Sequence, residues 1–363
     1  MRIVIKIGSN IIASERGLNQ RRISSITSEI AGIHARGHEV VVVSSGAVAA
    51  GMKRLGLKSR PGDIKHKQAA ASVGQSVLMW VYEKYFAKHR IKVAQILITR
   101  DAFYDRARYI NAKNTILTLL DYRVIPIINE NDSVSIDEIK FGDNDQLAAL
   151  VAGLCDAQRL IILSDVDGLY TKDPKRYRDA KLIETIEEIT PEIERSAEVT
   201  TSVFGTGGMY SKLMAARRAM DYGITVNIIN GNKRGLIAKI INGQPCGTEF
   251  RPRGKRYSGK KGWIAFGIKA KGSLVIDDGA RDAILKRGKS LLPSGIVSVE
   301  GRFSSGDAVY CIGTDGQRIA KGLTNYSSEE VEKIKGRRSS EIEGLLGYKY
   351  SDEVIHRDNL VLL

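Results

Sequence analysis

The sequence predicts an α/β fold with a mainly parallel central sheet, followed by a small β-rich domain. Three observations predict it. Short apolar runs alternate with helical patterns from the N-terminus to about Asn242, and near-continuous runs of this kind mark strands covered on both faces. Strand–helix alternation in turn implies largely parallel pairing. Beyond Gly247 the segments become short, glycine-punctuated and turn-rich, the pattern of a separate β-rich unit.

The strand candidates, in order, are Arg2–Ile7, Glu39–Val43, Val93–Ile98, Val124–Ile128, Leu160–Leu163 and Thr225–Ile229. A helix is expected after Asn19, where Ile23, Ile26, Ile30 and Ile33 recur at helical spacing and Gly37 supplies the stop. Another is expected over about Asp143–Leu154, with Leu147, Leu150, Val151 and Leu154 on one stripe. Between Arg251 and Lys271 the chain carries many lysines and arginines, a proline and no acidic residue, which reads as a seam. The expected organisation is therefore a first domain over 1–254, a basic linker over 255–270, and a small domain over 271–350 against which the tail to 363 packs. That small domain should hold helices near Asp278–Arg287 and Ser327–Lys335.

Composition bounds the function. The 363 residues carry 56 Lys+Arg against 41 Asp+Glu, a net charge of +15, which favours anionic partners without choosing among them. The 3 cysteines are scattered, against a disulfide framework and for a reducing compartment. The histidines and cysteines show no zinc spacing. No apolar run approaches the roughly 20 residues of a membrane helix, and no signal peptide opens the chain. A cytoplasmic protein with no membrane association is the expectation.

The chemistry is expected at the carboxyl ends of the strands. No Walker spacing occurs, yet two lysines lie beside glycine-bearing turns. Lys6 sits within the apolar run Ile3–Ile7, with Gly8-Ser9 after it. A buried ammonium needs an anion, so Lys6 either reaches a phosphate past the Gly8 turn or faces water from an edge strand. Lys212 follows Gly207-Gly208 by one turn of a helix whose buried face is Met209, Leu213, Ala216 and Met220. A helix N-terminus favours an anion, and a side chain tilted toward that end can reach the same anion; a surface lysine is the bland alternative. Ser44-Ser45-Gly46 is a further strand-to-helix turn, without the surroundings of a nucleophile elbow. Asn129–Ser133 and Gly142–Asp145 are polar clusters after a buried strand. They supply helix caps, or ligands for a substrate ammonium, and Asp145 could orient Lys6 and Lys212. Ser164–Tyr170 is either a turn or a grip on a nucleotide.

Taken together, these residues resemble the amino-acid kinase family. The likeness runs through Lys6-Ile-Gly-Ser, Ser45-Gly-Ala-Val-Ala-Ala-Gly, Ile128-Asn-Glu-Asn-Asp, Gly142-Asp-Asn-Asp, Gly168-Leu-Tyr-Thr-Lys-Asp-Pro and Gly205-Thr-Gly-Gly-Met. The tail resembles a PUA domain through Val275-Ile-Asp-Asp-Gly-Ala, Ser290-Leu-Leu-Pro-Ser-Gly-Ile and Gly322-Leu-Thr-Asn-Tyr-Ser-Ser. A kinase of this family joined to such a tail implies the branch that phosphorylates L-glutamate. The resemblance implies a three-layer fold, ATP and magnesium as cofactors, and transfer of the γ-phosphoryl to the side-chain carboxylate of L-glutamate, toward proline. By position it implies Lys6, Lys212 and Asp145 as catalytic, and Ser45, Asp132 and Asn144 as glutamate-binding. It implies ATP contacts at Lys6, Gly8, Ser164, Asp165, Thr206, Gly207, Gly208, Met209, Tyr210, Ser211 and Lys212, with no protein metal ligand assigned. A homo-oligomer is a family expectation. Ser44, Ser164 and Ser211 stand where threonine is expected, which keeps the hydroxyl. Two other readings stay open: a related kinase acting on acetylglutamate, aspartate or a nucleoside monophosphate, and an RNA-binding protein with a vestigial kinase fold. The basic charge also leaves room for an RNA contact through the tail.

Overall fold

The structure is a computed structural model that describes every residue except 15–16, 136–143, 175, 199–207 and 254–258. It divides into two compact units, Met1–Arg256 and Tyr257–Leu363.

The first unit is built on an eight-stranded sheet in the order β5-β6-β4-β1-β7-β9-β10-β8. The strands are β1 (Arg2–Ile7), β4 (Glu39–Ser44), β5 (Val93–Ile98), β6 (Ile125–Glu130), β7 (Arg159–Ser164), β8 (Thr185–Ile186), β9 (Thr225–Asn230) and β10 (Thr248–Phe250); β2 (Ala13–Ser14) and β3 (Gly17–Leu18) form a separate small hairpin. Pairing is parallel throughout except between β9 and β10. The six strands expected from the sequence are thus the six consecutive parallel ones. Three of them, β4, β7 and β9, run one residue further than their apolar run, onto the polar residues Ser44, Ser164 and Asn230. β6 runs from Ile125 to Glu130, two residues beyond its run.

Two layers of helix cover this sheet. On one face Ile3, Ile5 and Ile7 of β1, Val40 and Val42 of β4, and Ile125 and Ile127 of β6 pack into one core with Ile23, Ile26, Ile30, Leu78, Tyr82 and Phe86. Those partners come from helices Gln20–Ala35 and Ile64–Ala87. Strand side chains alternate between faces, so Val4 and Lys6 turn to the other side, where helices Asn144–Leu154 and Met209–Asp221 lie. The helix after Asn19 begins as expected: the Asn19 side chain accepts from Arg22 N at 3.0 Å, which satisfies one of the open N–H groups of the first turn.

One close approach fixes the sheet-end architecture. Helix Ala47–Arg54 crosses helix Ile64–Ala87 at Gly51 and Gly74, where an added Cβ would lie 1.7 Å from Ala70 O and 1.8 Å from Ala47 O respectively. Only glycine permits backbones this close. The turn into the shorter helix passes through Gly46 at φ 110°, a left-handed conformation that also favours glycine.

The second unit holds a five-stranded sheet, in the order β12-β11-β13-β14-β15, from β11 (Ala270–Ile276), β12 (Ile296–Gly301), β13 (Ala308–Gly313), β14 (Arg318–Leu323) and β15 (Leu360–Leu362). The two helices expected from the sequence span Asp278–Arg287 and Ser328–Ile334, and a short one follows at Ile342–Leu346. The second begins in a capping box, with Ser327 and Glu330 each satisfying the other's backbone N–H. A core of its own, including Leu274, Ile276, Phe303, Val309 and Tyr326, closes the unit. Among the described residues no helix is long and apolar enough to cross a membrane.

Candidate active site

Lys6 lies next to the end of β1, the strand flanked by β4 and β7. Its side chain leaves the sheet on the face opposite Ile5 and Ile7 and meets the start of helix Asn144–Leu154. There Lys6 Nζ lies 2.5 Å from Asp145 Oδ1. Lys212, in the first turn of helix Met209–Asp221, places its Nζ 3.1 Å from Asp145 Oδ2. Two ammonium groups distant in the chain therefore converge on the two oxygens of one carboxylate. Lys6, Asp145 and Lys212 are 6%, 0% and 8% exposed, so the edge-strand and surface readings of the two lysines do not hold. Burial alone raises the Asp145 carboxyl, but Lys212 and Lys6 outweigh it and hold the group below the usual carboxylate range. Among the described residues this sets two cations against one anion, an excess of positive charge in a desolvated place, where a charge acts over longer range than in water.

The helix that carries Lys212 starts at Gly208, an N-cap with no side chain to offer the first-turn N–H groups. That end of the helix is suited to an anion. Met209 turns its side chain into the core while Tyr210 is exposed, and the Ser211 carbonyl accepts from Gln146 Nε2 at 3.4 Å. Gly8 adjoins Lys6, and a Cβ placed on it would lie 3.5 Å from Lys6 Nζ. Thr206 and Gly207, with the Gly142-Asp143 part of the polar cluster, lie outside the described residues. Ser164 ends β7; its hydroxyl donates to Asp165 Oδ1 at 3.3 Å, and Asp165 Oδ2 accepts from Asn10 Nδ2 at 3.2 Å. This loop also holds Asp167, which accepts from Asn230 Nδ2 at 3.0 Å and pairs with Lys233 at 2.7 Å.

The opposite edge of the site is built from amides and hydroxyls. Asn144, beside Asp145, sends its Nδ2 over the strand ends to Ser44 O at 3.1 Å, Ser45 Oγ at 2.9 Å and Asn129 Oδ1 at 2.9 Å. Asn129 Nδ2 donates in turn to Gln75 Oε1 at 2.9 Å. The Ser44 hydroxyl meets the buried Tyr82 hydroxyl at 2.7 Å. Asp132 lies in the turn after β6, half-buried, and the same turn is tied to helix Ile64–Ala87 through Gln68 to Ser135 O at 3.1 Å and Ser72 to Ser133 Oγ at 2.7 Å. The structure thus gathers Ser45 and Asn144 directly, with Asp132 on the adjoining turn. Gln75 and Tyr82 are contributors the sequence reading missed. The available signal was a weak one, Gln68, Ser72 and Gln75 at helical spacing on a helix that carries other polar residues too.

The amino acid kinase family matches residues 1–230, and a PUA domain matches 272–346. The chain belongs to the amino acid kinase family. It is 51% identical over 363 residues to a glutamate 5-kinase of Geobacter sulfurreducens, covering 100% of this chain and 97% of that protein. It is 50% identical to the glutamate 5-kinases of a Thermoanaerobacter species and of Citrifermentans bemidjiense, again over 100% of this chain and 98% and 97% of theirs. Family membership points to a kinase, and an anion is what the buried lysine–aspartate–lysine cluster is suited to receive. The family implies magnesium; among the described residues no group of three His, Cys, Asp or Glu could hold a metal ion. The ammonium and amide donors suit phosphate oxygens, and the ion's habit of keeping water and phosphate ligands suits arrival on the nucleotide.

Proposed function

We propose that this chain is an ATP-dependent glutamate 5-kinase, which transfers the γ-phosphoryl of ATP to the side-chain carboxylate of L-glutamate in the first step of proline biosynthesis. The observation that carries the reading is the pairing of Lys6 and Lys212 on Asp145, in a chain half identical to glutamate 5-kinases along its whole length. The acceptor carboxylate already bears its charge, so the reaction needs no general base. It needs in-line placement and cancellation of charge on the equatorial oxygens. Lys6 approaches from the central strand and Lys212 from the helix start, and Asp145 keeps both aimed at one point. The N–H groups of the Gly208 turn add donors for the phosphates. Ser45, Asn144 and Asp132 hold glutamate, with the Asp132 carboxylate suited to the substrate ammonium. Ser164, Asp165 and the turn 206–212 hold the nucleotide.

The test is ADP release with ATP, magnesium and L-glutamate, with hydroxylamine trapping of the acyl phosphate across a panel of acids. Trapping with L-glutamate above acetylglutamate and aspartate is expected. Trapping with another acid in preference would replace the substrate assignment. We also propose a cytoplasmic homo-oligomer, to be read by light scattering, and an RNA contact through the PUA unit, to be read by gel shift at low salt, where phosphate contacts are strongest.

A further inference from the structure

The amide chain that ends at Gln75 has a direction, and that direction is fixed by the backbone. Asn144 faces the carbonyl of Ser44, which can only accept, so the atom Asn144 presents there must be its Nδ2. The same Nδ2 meets Asn129, which must answer with its Oδ1. Asn129 then has only its Nδ2 left for Gln75, and Gln75 must receive it with Oε1. Turning any of these amides over would set donor against donor or acceptor against acceptor. Gln75 Nε2 is therefore a donor, and among the described residues it is buried without a hydrogen-bond partner, in a residue only 8% exposed. A buried donor left unpaired is costly and calls for an explanation.

Its place in the fold says what it awaits. Ser44 and Asn129 lie on the sheet face toward helix Ile64–Ala87, because they share the alternation of Val40, Val42, Ile125 and Ile127. Lys6 leaves by the other face. The two ends of the site thus straddle the strand ends. Asn129 stands two strands from β1, in register with Ser44 and Ile7 by continuation of Val43↔Ile128 and Ile7↔Ser44, a spacing of about 9–10 Å. Gly74, at the tight helix crossing, holds the adjacent Gln75 in place.

We propose that Gln75 is a substrate-binding residue whose Nε2 donates to the α-carboxylate of L-glutamate. The reacting side-chain carboxylate must lie at the lysines, so a donor at the far end of the amide chain addresses the other carboxylate. The inference rests on the glutamate reading above. It adds a specificity element: the terminal donor selects an acid that carries a second, non-reacting carboxylate.

The test uses the full chain with Gln75→Glu, which preserves the acceptor for Asn129 and replaces the donor by an oxygen, and Gln75→Met, which keeps the bulk alone. Urea unfolding establishes that each variant is folded. Loss of a hydrogen bond to a charged group predicts a KM for L-glutamate raised about 10- to 100-fold. KM for ATP should stay within about twofold and kcat within about threefold of wild type, a split that a general loosening of the fold does not give. The inhibition constant of 4-aminobutyrate, which lacks the α-carboxylate, should not change. An unaltered glutamate KM, an equal rise for ATP, or an equal loss with 4-aminobutyrate overturns the assignment. If wild type itself shows no glutamate-dependent turnover, the functional reading falls and this one with it; if wild type turns over and the variants match it, this one falls alone.

Discussion

Two regions of the molecule bury lysines, and they do it in different ways. In the first unit Lys6 and Lys212 share a carboxylate. In the second, Lys321 of β14 is 4% exposed, and among the described residues its ammonium meets backbone carbonyls, Ala265 O at 3.1 Å and Ile268 O, with the Tyr310 ring 5.8 Å away. Burial pushes Lys321 down to about 8. The contrast separates two uses of a costly group. A cation capped by carbonyls ties a segment to a sheet. Two cations on one anion keep a surplus charge, and the proposed phosphoryl transfer rests on it.

The sharpest way to break this comparison is Asp145→Ala. It would leave two ammoniums buried and uncompensated, with an expected cost of about 3–5 kcal/mol in urea unfolding and a collapse of turnover. A variant with wild-type stability and kcat would reduce Asp145 to an ordinary first-turn residue. In the wild type the Asp145 pKa is depressed on folding. Its stabilising share is therefore complete above the unfolded value of about 3.9 and is lost as pH falls through the lower folded value.

Lys6→Ala and Lys212→Ala come next. Each removes one oriented charge-stabilising donor, and kcat should fall by about 10²–10³, or about 2.7–4 kcal/mol, with the fold intact by circular dichroism. Near-normal turnover in both would end the catalytic assignment.

Lys321 should behave in the opposite manner. Lys321→Met should leave kcat within about twofold, because no charge near the reacting atoms changes. Its signature is in pH. The folded pKa of about 8 lies below the ordinary 10.5, so the unfolded chain binds the extra proton between those values and stability rises with pH across that window. The variant should lose that rise in unfolding titrations; an unchanged slope would show that Lys321 is solvated as well in the folded chain as in the unfolded one.

The smallest effect is expected at Tyr310, whose ring carries Arg318 at 4.3 Å. Tyr310→Leu should cost about 0.5–1 kcal/mol in the second unit and leave turnover unchanged. A larger loss would mean that Lys321 also leans on the ring.

The sequence by itself determined the layout. Apolar runs of strand length placed the six consecutive parallel strands; five of them are buried along nearly all their length, and β5, at the sheet edge, is half-buried to exposed over most of its own. Asn19, Gly46 and Ser327 marked element starts, since caps and left-handed turns constrain residue type locally. Family motifs named Lys6, Asp145 and Lys212. What only the tertiary structure decided is which side chains meet. Whether Lys6 faced water or an anion depended on which strands flank β1, a matter of sheet order that no local pattern encodes. The role of Gln75 was out of reach for the same reason: on its helix it is one polar residue among several. It becomes a buried donor with no partner among the described residues only when the glycine crossing, the end of β6 and the Ser44 carbonyl come together around it. Hydrogen-bond direction is a property of neighbours in space, and those neighbours are 15 to 100 residues apart in the chain.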